Sequence, residues 1–396
     1  MINLPIAAYL HIPFCRRRCF YCDFPISVVG DRLRGDQSGM IRQYVDAICQ
    51  EIAATPVLGP ALQTVFFGGG TPSLLSPNQL DRILQTLDRR FGIAATAEIS
   101  IEMDPASFDR SQAIATRQLG FNRVSIGAQA FQDGLLERCG RTHRRADIDR
   151  AVADLRAAGF ENLSLDLISG LPEQTLADWQ ASLEAAIALE PTHLSAYDLV
   201  LEPETVFGKR YQPGDRPLPA DEQTAVMYRL AHRTLEAAGF EHYEISNYAR
   251  SGFQCRHNRV YWQDQSFYGF GVGATSALQG QRFGRPRRRA DYFIWLETPG
   301  AIAAACAPVT SDPADALAET LMLGLRLAEG LDWTALEQPF GAEILRSLQP
   351  VIQRYQQAGW LQWQGDRLSL TQPEGMLFSN QVLASLFERL EAIATV

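Results

Sequence analysis

Cys15, Cys19 and Cys22 fall within the stretch "HIPFCRRRCFYCDFP", spaced C-x3-C-x2-C. Three thiols this close can hold a metal or a cluster. A structural zinc site normally takes four ligands, often as two C-x2-C knuckles, and Cys49, Cys139, Cys255 and Cys306 show no knuckle spacing. Zinc completed by His11 or Asp23 is one reading. A cubane iron–sulfur cluster instead takes a thiolate on each of its four irons, so three local cysteines leave one iron open. An open coordination position is what catalysis uses, because a substrate or cofactor can fill it. The position that would complete a further C-x-C holds Phe24. A redox disulfide at Cys19 and Cys22 fits neither the third cysteine nor the strand pattern that follows.

The chain around this cluster is large enough for two or three domains, at 396 residues with an ordinary apolar fraction of 46%. No stretch approaches the roughly 18 uncharged apolar residues of a membrane span. The start "MINLPIAAYLHI" lacks a basic n-region, so a cytoplasmic protein with reduced cysteines is expected. A net charge of −9 argues against nucleic acid as a partner. Lys209 is the single lysine against 35 arginines, and no G-x4-G-K-[ST] motif is present. Schiff-base chemistry would therefore have to rest on Lys209.

Short β-branched or aromatic runs alternate with amphipathic helical stretches from residue 5 onward. Strands are expected at 6–12, 64–68, 98–103, 123–128, 163–168, 194–200 and 243–246, starting 25 to 58 residues apart, with room for the βαβ crossovers between them. The polar residues cluster at the ends of these runs: the cysteines after the first strand and "GGGTPS" after the second. Glu102 ends the third and Gln129 the fourth, while Asp166 and Tyr197 lie in the fifth and sixth. In a parallel barrel those ends share one face, where such barrels carry their chemistry. After about residue 308 the pattern changes to three helices, a hairpin in "LQWQGDRLSLTQPEG" and a closing helix. Residues 301–396 hold 11 acidic residues against 5 arginines, which makes DNA binding by a winged-helix-like unit improbable.

C-x3-C-x2-C directly after a first barrel strand resembles the signature of radical S-adenosylmethionine (SAM) enzymes. There a 4Fe–4S cluster binds SAM through its open iron and cleaves it to a 5′-deoxyadenosyl radical. "FFGGGTPS" is similar to that superfamily's glycine-rich segment. "YLHIPFC", "IEMDP", "FNRVSIGAQAF", "RTH" and "LSLDLISGLPEQT" extend the resemblance over nearly the whole chain, to the coproporphyrinogen dehydrogenase-like branch. It implies an α/β fold: a partial parallel (β/α) barrel of radical SAM type over residues 1–300, and a small α+β winged-helix-like domain over 301–396. By the same similarity Cys15, Cys19 and Cys22 would carry the cluster, and Tyr9, Gly69, Gly70, Thr71, Glu102, Gln129, Arg141 and Asp166 would contact SAM. Glu102 would take the amino group, Arg141 the carboxylate and Asp166 the ribose hydroxyls. "GFGVGATS" (269–276) would close over the adenosine end.

Two functions compete within that branch. One is the oxygen-independent dehydrogenase that converts coproporphyrinogen III to protoporphyrinogen IX. The other is a haem chaperone that binds haem and passes it to acceptor proteins, membrane respiratory haemoproteins among them. Phe24 in place of the dehydrogenase's extra cysteine, the 14 residues before Cys15, and "HNRVYW" (257–262) all favour the chaperone. In that reading His257 or Cys255 would ligate haem iron, Tyr261 and Trp262 would offer aromatic surface, and the arginines of "RFGRPRRRA" would meet propionates. A plainer reading packs "QCRHNRVYW" beneath the barrel mouth and leaves the arginines solvated or in a linker.

Overall fold

The computed structural model describes residues 4–31, 35–309 and 312–394. Seven parallel strands build the framework: β1 (Ala7–Ile12), β2 (Leu62–Gly69), β3 (Ile93–Met103), β4 (Arg123–Gln129), β5 (Asn162–Ser169), β6 (His193–Asp198) and β7 (Phe267–Phe270). Their spatial order is β7-β1-β2-β3-β4-β5-β6. Antiparallel strands extend both edges, Thr275–Leu278 and Gln281–Gly284 beyond β7, and Asn247–Ala249 and Glu241–His242 beyond β6. The sheet runs from edge to edge without closing, so the expected partial barrel is the observed fold.

Two sequence expectations need correction. Residues 243–246 form no strand but the tight link between the short antiparallel strands at 241–242 and 247–249. The seventh parallel strand is instead "FYGF", paired with β1 from Ala7↔Phe267 to Leu10↔Phe270. Its four buried residues follow a turn directly and end at glycine, too short a run to announce itself.

Each strand divides its side chains between two layers, as the two-residue period demands. Val65 and Phe67, Val124 and Ile126, and Leu163, Leu165 and Leu167 join the apolar core under the helices. The alternate positions meet inside the barrel. Ser125 Oγ donates to both oxygens of Asp166 at 3.0 Å, Ser164 Oγ lies 2.8 Å from His193 Nδ1, and Thr64 Oγ1 lies 2.7 Å from His257 Nδ1. Helices α1 (Gly39–Ala54), α2 (Pro77–Phe91), α3 (Arg110–Gln118), α4 (Arg145–Ala157), α5 (Leu176–Ala188) and α6 (Asp221–Ala237) pack on the outside. Sequence sets their starts: Ser76 and Gln79 form a reciprocal cap on α2 with Pro77 at the first position, and Thr175 and Asp178 do the same for α5.

The C-terminal residues have their own core, with Leu317, Leu321, Ile352, Leu368 and Leu386 among its buried members. It joins four helices between Pro313 and Gln357, a three-stranded sheet containing the hairpin Leu361–Gln364/Arg367–Leu370, and the helix Ser379–Ala394. Arg229 on α6 grips Glu374 with two bonds of 2.6 and 2.8 Å, and the Ala328 N–H donates to Tyr243 O at 2.9 Å. These contacts seat the unit against the barrel wall beside β6.

Candidate cofactor site

The loop after β1 carries the three thiols and is tied at both ends. Phe14–Cys15 pairs in parallel with Ser27–Val28. Midway, the Phe20 N–H donates to Cys139 O at 3.0 Å, and Phe20 O accepts from the Phe207 N–H at 2.9 Å. The loop is thereby stretched across the C-terminal ends of the strands, over a cavity of about 310 Å³.

Cys15, Cys19 and Cys22 line that cavity together with Gly69, Gly70, Thr71, Glu102, Gln129, Arg141 and Asp166. Six separate strands or loops, spread over 150 residues of sequence, thus converge on one volume. Gly70 is a position where no side chain fits, because a Cβ would stand 2.7 Å from Phe14 O and 2.9 Å from Ile12 O. Gly69 has a φ of +110°, and a Cβ there would lie 2.5 Å from the His11 ring. The second strand therefore ends in bare backbone facing the cavity. Gln129 is held at φ +67° where the β4–β5 register slips, a strained turn that aims the end of β4 at the same space.

The electrostatics divide the cavity in two. On one side Glu102 accepts the Gly69 N–H at 2.9 Å, and burial followed by the nearby Asp166 pushes its carboxyl up to about 8. Burial also raises Asp166, against the hydroxyl bonds that favour its ionised form. This side carries two carboxyl groups poised to receive a cation or hydroxyls. On the other side Arg141 donates to Asp104 at 2.7 Å, to Gly127 O at 2.8 Å and to Cys19 Sγ at 3.4 Å. Burial opposes the charge on Asp104, but Arg141 and His143 outweigh it and hold that carboxyl down at about 2. Thr71 Oγ1 donates to Cys15 Sγ at 3.5 Å.

The donor set suits a cluster better than one ion. A single zinc needs its ligands to converge on one point about 2.3 Å from each sulfur. Among the described residues no three His, Cys, Asp or Glu groups gather in that way. His11, a candidate fourth ligand, has Nδ1 3.0 Å from Tyr9 OH and Nε2 3.2 Å from Pro25 O. A cubane places each thiolate on a different iron, so three thiols spread along the rim of one cavity fit it.

Several expected residues stand elsewhere. Tyr9 lies below the cavity wall, stacked on Phe66 at 6.2 Å and joined to His11. "GFGVGATS" forms the end of β7, a turn and the start of its antiparallel neighbour, and none of it lines the cavity. His257 is the principal correction. It is fully buried in helix α7 (Arg256–Trp262), with Nδ1 2.7 Å from Thr64 Oγ1 and Nε2 2.8 Å from Tyr261 OH. Phe66 stacks on it at 5.2 Å, and burial lowers its pKa to about 3. Neither ring nitrogen is offered to a haem iron. Cys255 is equally buried, 3.8 Å from Glu98. The Glu98 carboxylate accepts the N–H groups of Arg256 and His257 at 3.2 and 3.0 Å, so α7 is capped from β3 and closes the barrel floor.

The arginine run also disperses. Arg285 is buried against Glu51 at 2.8 Å, Arg282 pairs with Glu319, and Arg287 reaches Asp23. Sequence reasoning missed Ser125 and Asp104, which hold Asp166 and Arg141 in place. A lone serine in a strand gives no signal, but "IEMDP" placed Asp104 two residues from Glu102.

The profile of the radical SAM superfamily matches residues 9–186, and that of the HemN C-terminal domain matches residues 311–378. The heme chaperone HemW of Synechocystis sp. is 50% identical to this chain over 98% of each protein. The heme chaperone HemW of Bacillus subtilis is 33% identical over 97% of this chain and 100% of its own length. Coproporphyrinogen III oxidase (HemN) from Escherichia coli superposes with a TM-score of 0.79 over 97% of this chain and 90% of its own, at 24% identity. That last likeness speaks for the fold alone.

Proposed function

This chain belongs to the HemW family of radical SAM proteins, and from that premise we propose that it is a haem chaperone, binding a 4Fe–4S cluster, SAM and haem and passing haem to acceptor proteins. The observation that carries the reading is similarity to proteins named for that role over essentially the whole length, cluster loop and C-terminal unit included.

Cys15, Cys19 and Cys22 would hold the cluster, whose chemistry when bound is one-electron reduction of SAM. The bare backbone of Gly69 and Gly70, with Thr71, would receive the methionyl end. Glu102 would accept the amino group and Arg141 would pair with the carboxylate, while Asp166, steadied by Ser125, would take the ribose hydroxyls. Gln129 closes the same wall, and Tyr9 supports it from below. The barrel of residues 1–300 would do this work, with 301–396 as a packing unit. No helix among the described residues is long and apolar enough to cross a membrane. Delivery to membrane haemoproteins would thus run through contact with the acceptor, from the cytoplasm.

The test is anaerobic reconstitution followed by haem titration and a coproporphyrinogen assay on one sample. The expected result is about one haem per chain and no protoporphyrinogen. Protoporphyrinogen formed at a catalytic rate with SAM and a reductant would return the protein to the dehydrogenase class.

A further inference from the structure

We propose that haem docks on the rim of the barrel mouth, against the rings of Phe24 and Tyr197, with Arg17 offered to a propionate; this rests on the reading above that the chain carries haem. Phe24 is 55% exposed and Tyr197 41% exposed, and both line the cavity beneath the cysteine loop. Large apolar side chains left in water around one concave site mark a place where something binds.

The exposure of Phe24 is built rather than incidental. Arg18 Nη1 donates to the carbonyls of Cys22 and Phe24 at 3.0 and 3.1 Å, and its Nη2 donates to Ile26 O at 3.3 Å. From the other side Arg287 donates to the carbonyl and carboxylate of Asp23 at 3.0 and 3.1 Å. Two arginines therefore pin the backbone around a ring that meets His11 edge-on at 6.5 Å and leaves over half its surface in water. Fixing an aromatic face in this way removes part of the ordering cost of binding a flat ligand.

Charge points to the same ligand. The protein is acidic overall, at −9, yet three consecutive arginines stand at this mouth. Arg16 and Arg17 line the cavity, and the Arg17 side chain is 65% exposed and, among the described residues, pairs with the half-exposed Asp31 at 3.4 Å. A broad apolar plate bearing two carboxylates matches exposed rings beside a guanidinium held only by a long, solvent-exposed ion pair. The barrel floor offers no such place, since His257 and Cys255 are both sealed inside it.

Haem titration of the reconstituted full-length protein tests the proposal. Phe24→Ala with Tyr197→Ala should weaken haem binding by about tenfold or more, from the lost ring contacts. Phe24→Trp should restore it, and Val57→Ala, at an exposed apolar residue before the start of β2 and so at the opposite end of the barrel, should leave it unchanged. Cluster absorption retained in each variant shows that the loop has folded. Without any substitution, haem should protect the amides of 22–26 from hydrogen exchange and slow the exchange of labelled SAM. If the wild type binds haem and the double variant binds it equally well, the rim is not the site. If the wild type binds no haem, the chaperone reading itself fails, and this inference with it.

Discussion

The Arg141 guanidinium stands 3.4 Å from Cys19 Sγ while the same side chain bonds Asp104 at 2.7 Å. It links a thiol of the cluster loop to a buried carboxylate one strand away. An N–H donated to a ligating sulfur draws off charge and favours the reduced cluster. Arg141→Gln should therefore keep the cluster absorption but lower its midpoint potential, as followed by spin resonance in an anaerobic redox titration. An unchanged potential would show that the contact does not act on the cluster.

Glu102 gives a stability signature with a definite sign. Its folded pKa of about 8 lies above the ordinary value of 4.5, so between those pH values the folded state holds a proton that the unfolded state has lost. Stability from this group is thus complete below about pH 4.5 and falls as pH rises toward 8, by on the order of a few kcal/mol. Glu102→Gln should melt with the wild type at pH 5 and above it at pH 8 in SAM-free protein. Equal melting at both pH values would mean that Glu102 ionises freely.

Asp166 accepts both of its 3.0 Å bonds from one hydroxyl, Ser125. Asp166→Ala should cost SAM binding on the order of 2–3 kcal/mol, roughly 30- to 150-fold in affinity. Ser125→Ala removes one of three serine hydroxyls that face the carboxylate, leaving Ser195 and Ser164, and should cost about 1 kcal/mol or less. Calorimetry on reconstituted protein measures both. Equal losses in the two variants would make Ser125 a direct contact rather than a support.

His257→Ala should behave as a core mutation. It strips partners from Thr64 and Tyr261 and empties space against Phe66, a loss of about 2–4 kcal/mol read in chemical unfolding. The haem spectrum of the surviving folded protein should stay as in the wild type. A shifted Soret band would put the histidine back at the iron.

The sequence carried the mouth of the barrel better than its floor, for a physical reason. Residues at strand ends interrupt apolar runs, so Glu102 and Gln129 stand out against "EISIEM" and "RVSIGA", and spacing alone sends them to one face. "LSLDLI" even shows its two layers, with Ser164 and Asp166 inward against three outward leucines. Depth inside the barrel has no such mark. "HNRVYW" reads equally well as an exposed ligand set or as a plug, and only the contacts with Thr64, Phe66 and Glu98 decide. Strand β7 stayed hidden because four residues between a turn and a glycine carry no usable period.

That hidden strand sets a clock on the birth of the protein. Ala7 must wait for Phe267, some 260 residues later, to complete the wall on its open side. At about 5–20 residues per second on the ribosome, the interval is on the order of 13 to 50 seconds. Throughout it the cysteine loop hangs from a strand with one edge unpaired. Nascent chains in which Phe267–Phe270 has not yet emerged from the ribosome should therefore alkylate faster at these half-buried thiols than the complete chain, because the strand that carries their loop is still loose. The length of the polypeptide then decides when the strand beneath the iron site becomes fixed.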